Sequence, residues 1–139
     1  MTQLEDFVER ARLARLATVD ERGSPHVVPI VFVYVDGIVY TPIDLKPKAV
    51  PARGLRRVRN IEANPRVQVL VDRYDEDWNR LAYVQLRGRA ELIEGGEEYD
   101  RSLRLLEEKY PQYATLPLAG RPVIRIAVER MVSWGDFSP

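Results

Sequence analysis

The chain has 139 residues, and its 21 lysines and arginines balance 21 aspartates and glutamates, so its formal net charge at pH 7 is zero. This length fits one domain with one core, which we place at residues 1–139. The absence of cysteine excludes disulfides, thiol catalysis and cysteine-ligated metal centres, and a single histidine, His26, argues against histidine-rich metal sites. No segment resembles a signal peptide or approaches the ~20 apolar residues of a membrane span, so we expect a cytoplasmic protein without membrane contact.

The first half of the chain predicts one helix and three strands. Residues 3–15 carry apolar side chains at helical spacing. The runs "RLATVD", "HVVPIVFVYV" and "IVYTPI" are rich in β-branched and aromatic residues and predict strands, with Pro29 suggesting an edge or a bulge. Asp36 and Gly37 separate the last two runs, which is a strong hairpin signal.

The second half predicts two helices and three longer strands. Residues 52–63 predict a short helix that "NP" at 64–65 ends. The runs "RVQVLVD", "LAYVQLRGRAELI" and "PVIRIAVERMVSW" predict strands, the second with clear alternation. Residues 97–110 predict a helix whose buried face carries Tyr99, Leu103, Leu106 and Tyr110. About six strands with two or three peripheral helices indicate a mainly antiparallel α+β fold, and hairpin-linked strands of this number commonly close into a small barrel.

A local excess of positive charge lies in residues 40–61. It comprises Lys46, Lys48, Arg53, Arg56, Arg57 and Arg59, with Asp44 as the one acid. On a helical wheel, Arg53, Arg56, Arg57 and Asn60 fall opposite the apolar positions. Lysines at a strand end, arginine forks and a helix N-terminus together predict a phosphate-binding pocket. A solvated helix face is the alternative for the arginines.

The order of several segments resembles one family of flavin-binding proteins. The segments are "RLATVDERGSPHVVPIVFVYVDGIVYTPIDLKPK", "RNIEANPRVQVLVD" and a closing "VSWG". They are similar to the split-barrel proteins related to pyridoxamine 5'-phosphate oxidase, over about residues 10 to 135. The pattern "D-x-K-P-K" before "N-P-R-V-x-V-L-V-D", with a "Y-D-x-D-W" loop, is similar to the branch of probable F-420-dependent enzymes. The resemblance implies a six-stranded split barrel that forms a homodimer, with F-420 or, alternatively, FMN in a groove between the subunits.

The resemblance also implies which residues contact the cofactor. Thr41, Pro42 and Ile43 would lie along the ring, and Val28, Pro29 and Ile30 would line its other edge. Lys46 and Lys48 would reach the phosphate, with help from Arg56 or Arg57. Trp78 and Trp134 could contact the ring or a small-molecule substrate, from the same subunit or from the opposite one. The chain has "LKPK" where the B6 oxidase has Ser-Arg-Lys, and it lacks that enzyme's C-terminal substrate segment, which argues against vitamin B6 oxidation.

Other polar residues have more ordinary interpretations. Tyr40, Tyr74 and Tyr83 are available proton donors, but nothing in the sequence selects one, so the catalytic residue stays unknown. His26 is expected to be structural or at the surface. The acids Asp72, Asp75, Glu76 and Asp77 do not have EF-hand spacing, so we predict a solvated loop and no metal site. Arg87 and Arg89 are expected to form cross-strand ion pairs.

Three functions are compatible with these observations. The first is a hydride-transferring oxidoreductase, since in such enzymes the cofactor supplies the chemistry and the protein orients it. The second is a flavin or tetrapyrrole carrier or sensor without turnover, which shares the pocket. The third is a single-stranded nucleic-acid-binding barrel. The neutral charge and the acidic "YDEDW" loop count against the third, so we expect no nucleic-acid partner.

Overall fold

A computed structural model describes residues 2–43 and 54–139. The helices in these ranges are α1 (Gln3–Arg10), α2 (Arg56–Ala63) and α3 (Glu97–Lys109), and two short 3-10 helices cover Trp78–Arg80 and Pro111–Ala114. The strands are β1 (Ala14–Val19), β2 (Pro25–Ile30), β3 (Val33–Val35), β4 (Ile38–Pro42), β5 (Arg66–Arg73), β6 (Ala82–Ile93) and β7 (Val123–Gly135). None of the helices in the described ranges is both long and apolar enough to cross a bilayer.

The sheet has seven described strands where the sequence predicts six. The predicted strand 26–35 is interrupted at residues 31 and 32, which separate β2 from β3. At the break, the Phe32 N–H donates to the Tyr110 hydroxyl at 3.1 Å, so a side chain replaces the missing strand partner. The predicted Asp-Gly hairpin is confirmed: Val35 pairs with Ile38, and Asp36 and Gly37 both have positive φ, which is the type I′ geometry.

The strands form one antiparallel sheet in the order β2-β1-β5-β6-β7-β4-β3. Its two edge strands, β2 and β3, are joined by only two residues. The sheet must therefore curl until its edges meet, which makes it a half-barrel of the split-barrel type. Part of the curvature comes from a shift in the β6–β7 register between Arg87 and Gly88. Gly88 lies so close to the Ala127 carbonyl group of β7 that a side chain at this position would not fit.

Buried and exposed residues alternate along the strands because one face of the sheet points into the barrel. Val67, Val69 and Val71 of β5 are buried, as are the even-numbered residues of β6 from Ala82 to Ala90. They pack with Val58 and Ile61 of α2 in the barrel core. A second core lies outside the sheet, where Tyr99, Leu103, Leu106 and Tyr110 of the α3 region pack against Tyr40 and Val33. The predicted buried face of α3 is confirmed.

Candidate functional site

A groove of about 260 Å³ lies where the ends of β2 and β4 approach one end of α2. Its described lining residues are Leu13, Pro29, Ile30, Val31, Thr41, Pro42 and Arg57. Five of the seven are apolar, Thr41 adds a hydroxyl group, and Arg57 carries the charge. Apolar walls with a few polar groups at defined places are typical of small-molecule sites.

The curl of the sheet brings the two strand ends together. β2 ends at Ile30 on one edge of the sheet, and β4 ends at Pro42, which is paired with Val123 of β7. The Ile43 N–H continues this pairing by donating to the Pro122 carbonyl group at 3.0 Å. Sites placed at strand ends are supported by a rigid scaffold, so the groove has fixed walls.

A buried hydrogen bond fixes the rotation of α2 over the barrel. The Asn60 side-chain amide donates to the Thr18 hydroxyl at 3.0 Å, and Asn60 and Thr18 are 4% and 2% exposed. Val58 and Ile61 enter the core beside this bond. The sequence analysis placed Asn60 on the polar face with the arginines, but the structure buries it because Thr18 offers a hydrogen-bond partner.

This rotation separates the arginines of the basic segment. Arg57 is half-buried and lines the groove. Arg56 and Arg59 are exposed and line a different cavity with Asp20, Glu21, Asn60 and Ala63. Arg56 also donates to the Ser24 hydroxyl at 3.5 Å. The sequence left open which arginine would help to bind phosphate; of the three in this segment that the structure describes, Arg57 is the one that lines the groove.

The positive charge of α2 affects the one histidine. Burial lowers the pKa of His26, and the charges of Arg56 and Arg57 lower it further. His26 is half-buried on β2, opposite Thr18 of β1. Its imidazole is therefore neutral at pH 7. The N-terminus of α2 adds to the positive potential, since its first turn contains no acidic residue and no side chain caps it.

The remaining predicted contacts of the cofactor ring divide between groove and core. Thr41, Pro42, Pro29 and Ile30 line the groove. Ile43 is 0% exposed and belongs to the barrel core, against which Val28 packs. Neither Val28 nor Ile43 is a groove residue in this structure. Lys46 and Lys48 lie outside the described residues.

The two tryptophans lie at the end of the sheet where β6 begins and β7 ends. Trp134 stacks on Tyr83, with ring centroids 6.0 Å apart, and is 54% exposed. Trp78 is 71% exposed on the 3-10 helix before β6. Neither tryptophan is among the described residues that line the groove.

Two groove residues, Leu13 and Val31, were missed by the sequence analysis. Leu13 was assigned to the first helix, which instead ends at Arg10. Leu13 is 46% exposed, which is a large exposure for a leucine side chain. Val31 was assigned to the middle of a strand, but it lies in the break between β2 and β3. Neither the break between β2 and β3 nor the end of α1 has a local sequence signal strong enough to reveal these positions.

The other candidate side chains have local partners. The Tyr40 hydroxyl donates to Glu98 beneath α3 at 2.5 Å, away from the groove. Tyr74 and Tyr83 belong to the tryptophan end of the sheet. Asp72 pairs with Arg15 and Asp75 with Arg80. Across the described ranges, no three histidine or carboxylate side chains are grouped so that they could hold a metal ion.

One of the two outward-facing arginines of β6 forms the expected cross-strand ion pair. Arg89 lies 3.7 Å from the Glu129 carboxylate, which is the ion pair expected for it. Arg87 instead donates to the Gln85 side chain at 3.4 Å and lies opposite Arg130 of β7.

Comparison with known proteins identifies the relatives of this architecture. A family model described as Pyridoxamine 5'-phosphate oxidase matches residues 1–135. A conserved hypothetical protein of Mycobacterium tuberculosis has a similar structure, with a TM-score of 0.76 at 24% identity over 97% of this chain and 85% of that chain. The heme storage protein HutZ of Vibrio cholerae gives 0.74 at 19% identity, over 96% and 92% of the two chains.

A third solved structure is an FAD-binding protein of Mesorhizobium loti, with a TM-score of 0.70 at 24% identity over 96% of this chain and 92% of that chain. At such identities, these likenesses show the fold. A search of curated protein sequences found no match.

Proposed function

Because the chain belongs to the pyridoxamine 5'-phosphate oxidase family, we propose that it is an oxidoreductase that transfers a hydride between a bound flavin-type cofactor and a small organic substrate. F-420 is the proposed cofactor and FMN the alternative. The observation that carries the proposal is the groove, where apolar walls end at the half-buried Arg57. A planar apolar ring with an anionic tail matches this distribution of apolar surface and charge.

Each part of the groove has a role in this proposal. Pro29, Ile30 and Pro42 pack against the ring and exclude water from it, and the Thr41 hydroxyl offers a hydrogen bond to a ring edge. Arg57 binds the phosphate, since a guanidinium group matches two phosphate oxygens at once. Lys46 and Lys48, which follow β4 in the chain, are proposed as further phosphate ligands. The cofactor supplies the hydride chemistry, and the protein orients its ring.

We also propose that the protein is a homodimer in which a second copy completes the groove. The groove is open and, at about 260 Å³, smaller than an ordinary ligand pocket of roughly 300–1,000 Å³. Val27 and Trp134 are exposed large apolar residues, at 60% and 54% of their surface. In this arrangement, Trp78 and Trp134 of the second copy approach the cofactor. Sedimentation equilibrium tests it, and a monomer at micromolar concentration would contradict it.

The decisive experiment is identification of the cofactor. The protein is purified from a host that makes F-420, its absorbance is recorded, and the protein without ligand is titrated with F-420 and with FMN by fluorescence. We expect at least one of them to bind with micromolar affinity or tighter. Failure of both to bind would overturn the proposal.

Two matched variants test the assigned phosphate ligand. Arg57→Gln removes the charge at the groove, and Arg59→Gln removes a charge two positions later in the same helix but outside the groove. We expect Arg57→Gln to weaken binding by about 1.5–3 kcal/mol, as for a charge-assisted hydrogen bond, and Arg59→Gln to change it by less than about 0.5 kcal/mol. Equal losses would mean that only the general positive potential matters. Lys48→Ala is expected to weaken binding by about the same amount as Arg57→Gln.

A second candidate function is a carrier or sensor that binds heme or flavin without turnover. The observation that favours it is the structural likeness to the heme storage protein HutZ of Vibrio cholerae, and His26 of β2, the one histidine of the chain, is the proposed iron ligand. Hemin titration with a Soret shift that is lost in His26→Ala would support this alternative. Reduction of bound cofactor followed by reoxidation with a panel of organic substrates would support the oxidoreductase.

A further inference from the structure

One side-chain hydroxyl group, which does not line the groove itself, binds the backbone beside two of the groove walls. The Tyr110 hydroxyl accepts the Phe32 N–H at 3.1 Å and lies 3.0 Å from the carbonyl oxygens of both Phe32 and Arg12, to which it can donate its single proton. Phe32 follows Val31 in the chain, and Leu13 follows Arg12. Val31 and Leu13 both line the groove.

The ring of Tyr110 is itself held firmly. The Arg12 guanidinium lies 4.7 Å from the ring centroid and donates to the Lys109 carbonyl group at 2.8 Å. The Lys109 ammonium lies 5.4 Å from the same ring and 4.2 Å from the ring of Phe32. Tyr110 is 5% exposed. The ring is therefore enclosed on several sides and has few alternative positions.

The pairing of β1 with β2 also joins these two walls, but it ends at Ala14 and Ile30. Leu13 and Val31 each lie one residue beyond this last pair, so neither is held by strand pairing of its own. Their positions therefore depend on the residues beside them. The Tyr110 hydroxyl binds the backbone of the residue on the other side of each, across 98 and 78 positions of sequence.

We propose that Tyr110 is the positioning residue of the groove: its hydroxyl fixes the segments that carry Leu13 and Val31 and so sets the shape of the apolar wall against which the cofactor ring packs. The ligand in this statement rests on the proposed function, whereas the fixing of the two segments does not. Tyr110 does not line the groove, so it acts on the ligand only through the backbone.

The test compares two variants that each remove one buried hydroxyl group near α3. Tyr110→Phe keeps the ring and deletes the bonds to Phe32 and Arg12. Tyr99→Phe is the matched control, because the Tyr99 hydroxyl donates to the Arg121 carbonyl group at 2.6 Å and neither residue lines the groove. Far-UV circular dichroism and urea unfolding establish that both variants fold and how much stability each loses.

The first readout is amide hydrogen exchange without ligand. We expect Tyr110→Phe to lose protection in peptides that cover residues 12–14 and 30–33, while Tyr99→Phe leaves these peptides unchanged. The second readout is fluorescence titration with FMN and F-420, in which Tyr110→Phe is expected to bind about tenfold more weakly and Tyr99→Phe as the unchanged protein does.

Each outcome decides one of the two claims. Unchanged exchange at both segments in Tyr110→Phe overturns the positioning role, as does a loss of affinity equal to that of Tyr99→Phe. If neither cofactor binds the unchanged protein, the proposed function fails, and the exchange measurement alone then decides whether Tyr110 fixes the two segments.

Discussion

The two ends of α3 hold a charged side chain in different ways. At the N-terminal end, Glu98 accepts hydrogen bonds from the Tyr40 hydroxyl at 2.5 Å and from Arg125 at 2.6 Å. At the C-terminal end, the Lys109 ammonium is buried, has no hydrogen-bond partner among the described residues and lies against aromatic rings. The helix dipole favours an acid at the first end and a cation at the second, so it does not explain the difference.

The difference appears in the pKa values. The hydrogen bonds from Tyr40 and Arg125 lower the pKa of Glu98, so its charged form is stabilised. Burial, together with the charge of Arg12, lowers the pKa of Lys109 to about 8, so its charged form is destabilised. The aromatic rings therefore do not compensate for the water that the ammonium loses. A charge on this helix stabilises the fold where hydrogen bonds surround it, and destabilises the fold where it is buried against aromatic rings alone.

The largest expected effect is at the N-terminal end. Glu98→Ala leaves Tyr40 and Arg125 without their shared acceptor, so we expect a loss of about 1–3 kcal/mol at pH 7, measured by urea unfolding. Glu97→Ala removes an exposed acid from the same turn and is the matched control. Because the pKa of Glu98 is lowered in the folded protein, its contribution is present above the unfolded pKa and is lost as the pH falls through the folded one. A loss equal to that of Glu97→Ala would show that only the helix dipole matters.

A smaller effect of opposite sign is expected at the C-terminal end. Lys109→Met replaces a buried ammonium by an apolar chain of similar length, so we expect a gain of about 1 kcal/mol at pH 7. The folded pKa of about 8 lies below the ordinary lysine value of 10.5, so between these two pH values the folded protein binds fewer protons than the unfolded chain. Its stability should therefore rise with pH from about 8 to 10.5, and Lys109→Met should lack this rise. Arg104→Met, on the exposed side of α3, is the control, and a variant less stable than the unchanged protein would contradict the interpretation.

The smallest effects concern the neighbours of Lys109. The charge of Arg12 lowers the Lys109 pKa and that of Glu9 raises it. Arg12→Gln should therefore raise the Lys109 pKa and Glu9→Gln should lower it, each by less than about one unit. NMR titration of the lysine ε-methylene signals measures both shifts, since the chain has only three lysines, Lys46, Lys48 and Lys109. Shifts in the same direction would show that the variants act through burial rather than charge.

Much of the fold follows from local patterns. The alternation in β6, the apolar face of α3 and the Asp36-Gly37 hairpin were all predicted and are confirmed. The break between β2 and β3 was not, because residues 26–35 are β-prone throughout. What interrupts the strand is Tyr110, whose hydroxyl takes both backbone groups of Phe32 from 78 positions away.

The candidate site was predictable only in part, for the same reason. The sequence located the strand end at Thr41 and Pro42 and the basic helix after it. It could not distinguish Arg57 from Arg56, because both fall on the polar side of a helical wheel. The Thr18–Asn60 hydrogen bond makes that distinction by fixing how α2 is rotated on the barrel. Whether Lys46 and Lys48 contact the same ligand stays a prediction.

The sequence by itself determined most of the helices and strands, most of the faces that they bury and the antiparallel class, because these depend on periodicities of 2 and 3.6 residues that are local. Tertiary structure alone decided where the sheet edges meet, which arginine enters the groove, and that the Lys109 ammonium is buried without a hydrogen-bond partner among the described residues. These features depend on contacts between residues far apart in the chain. No short-range pattern encodes which distant group will be available as a partner.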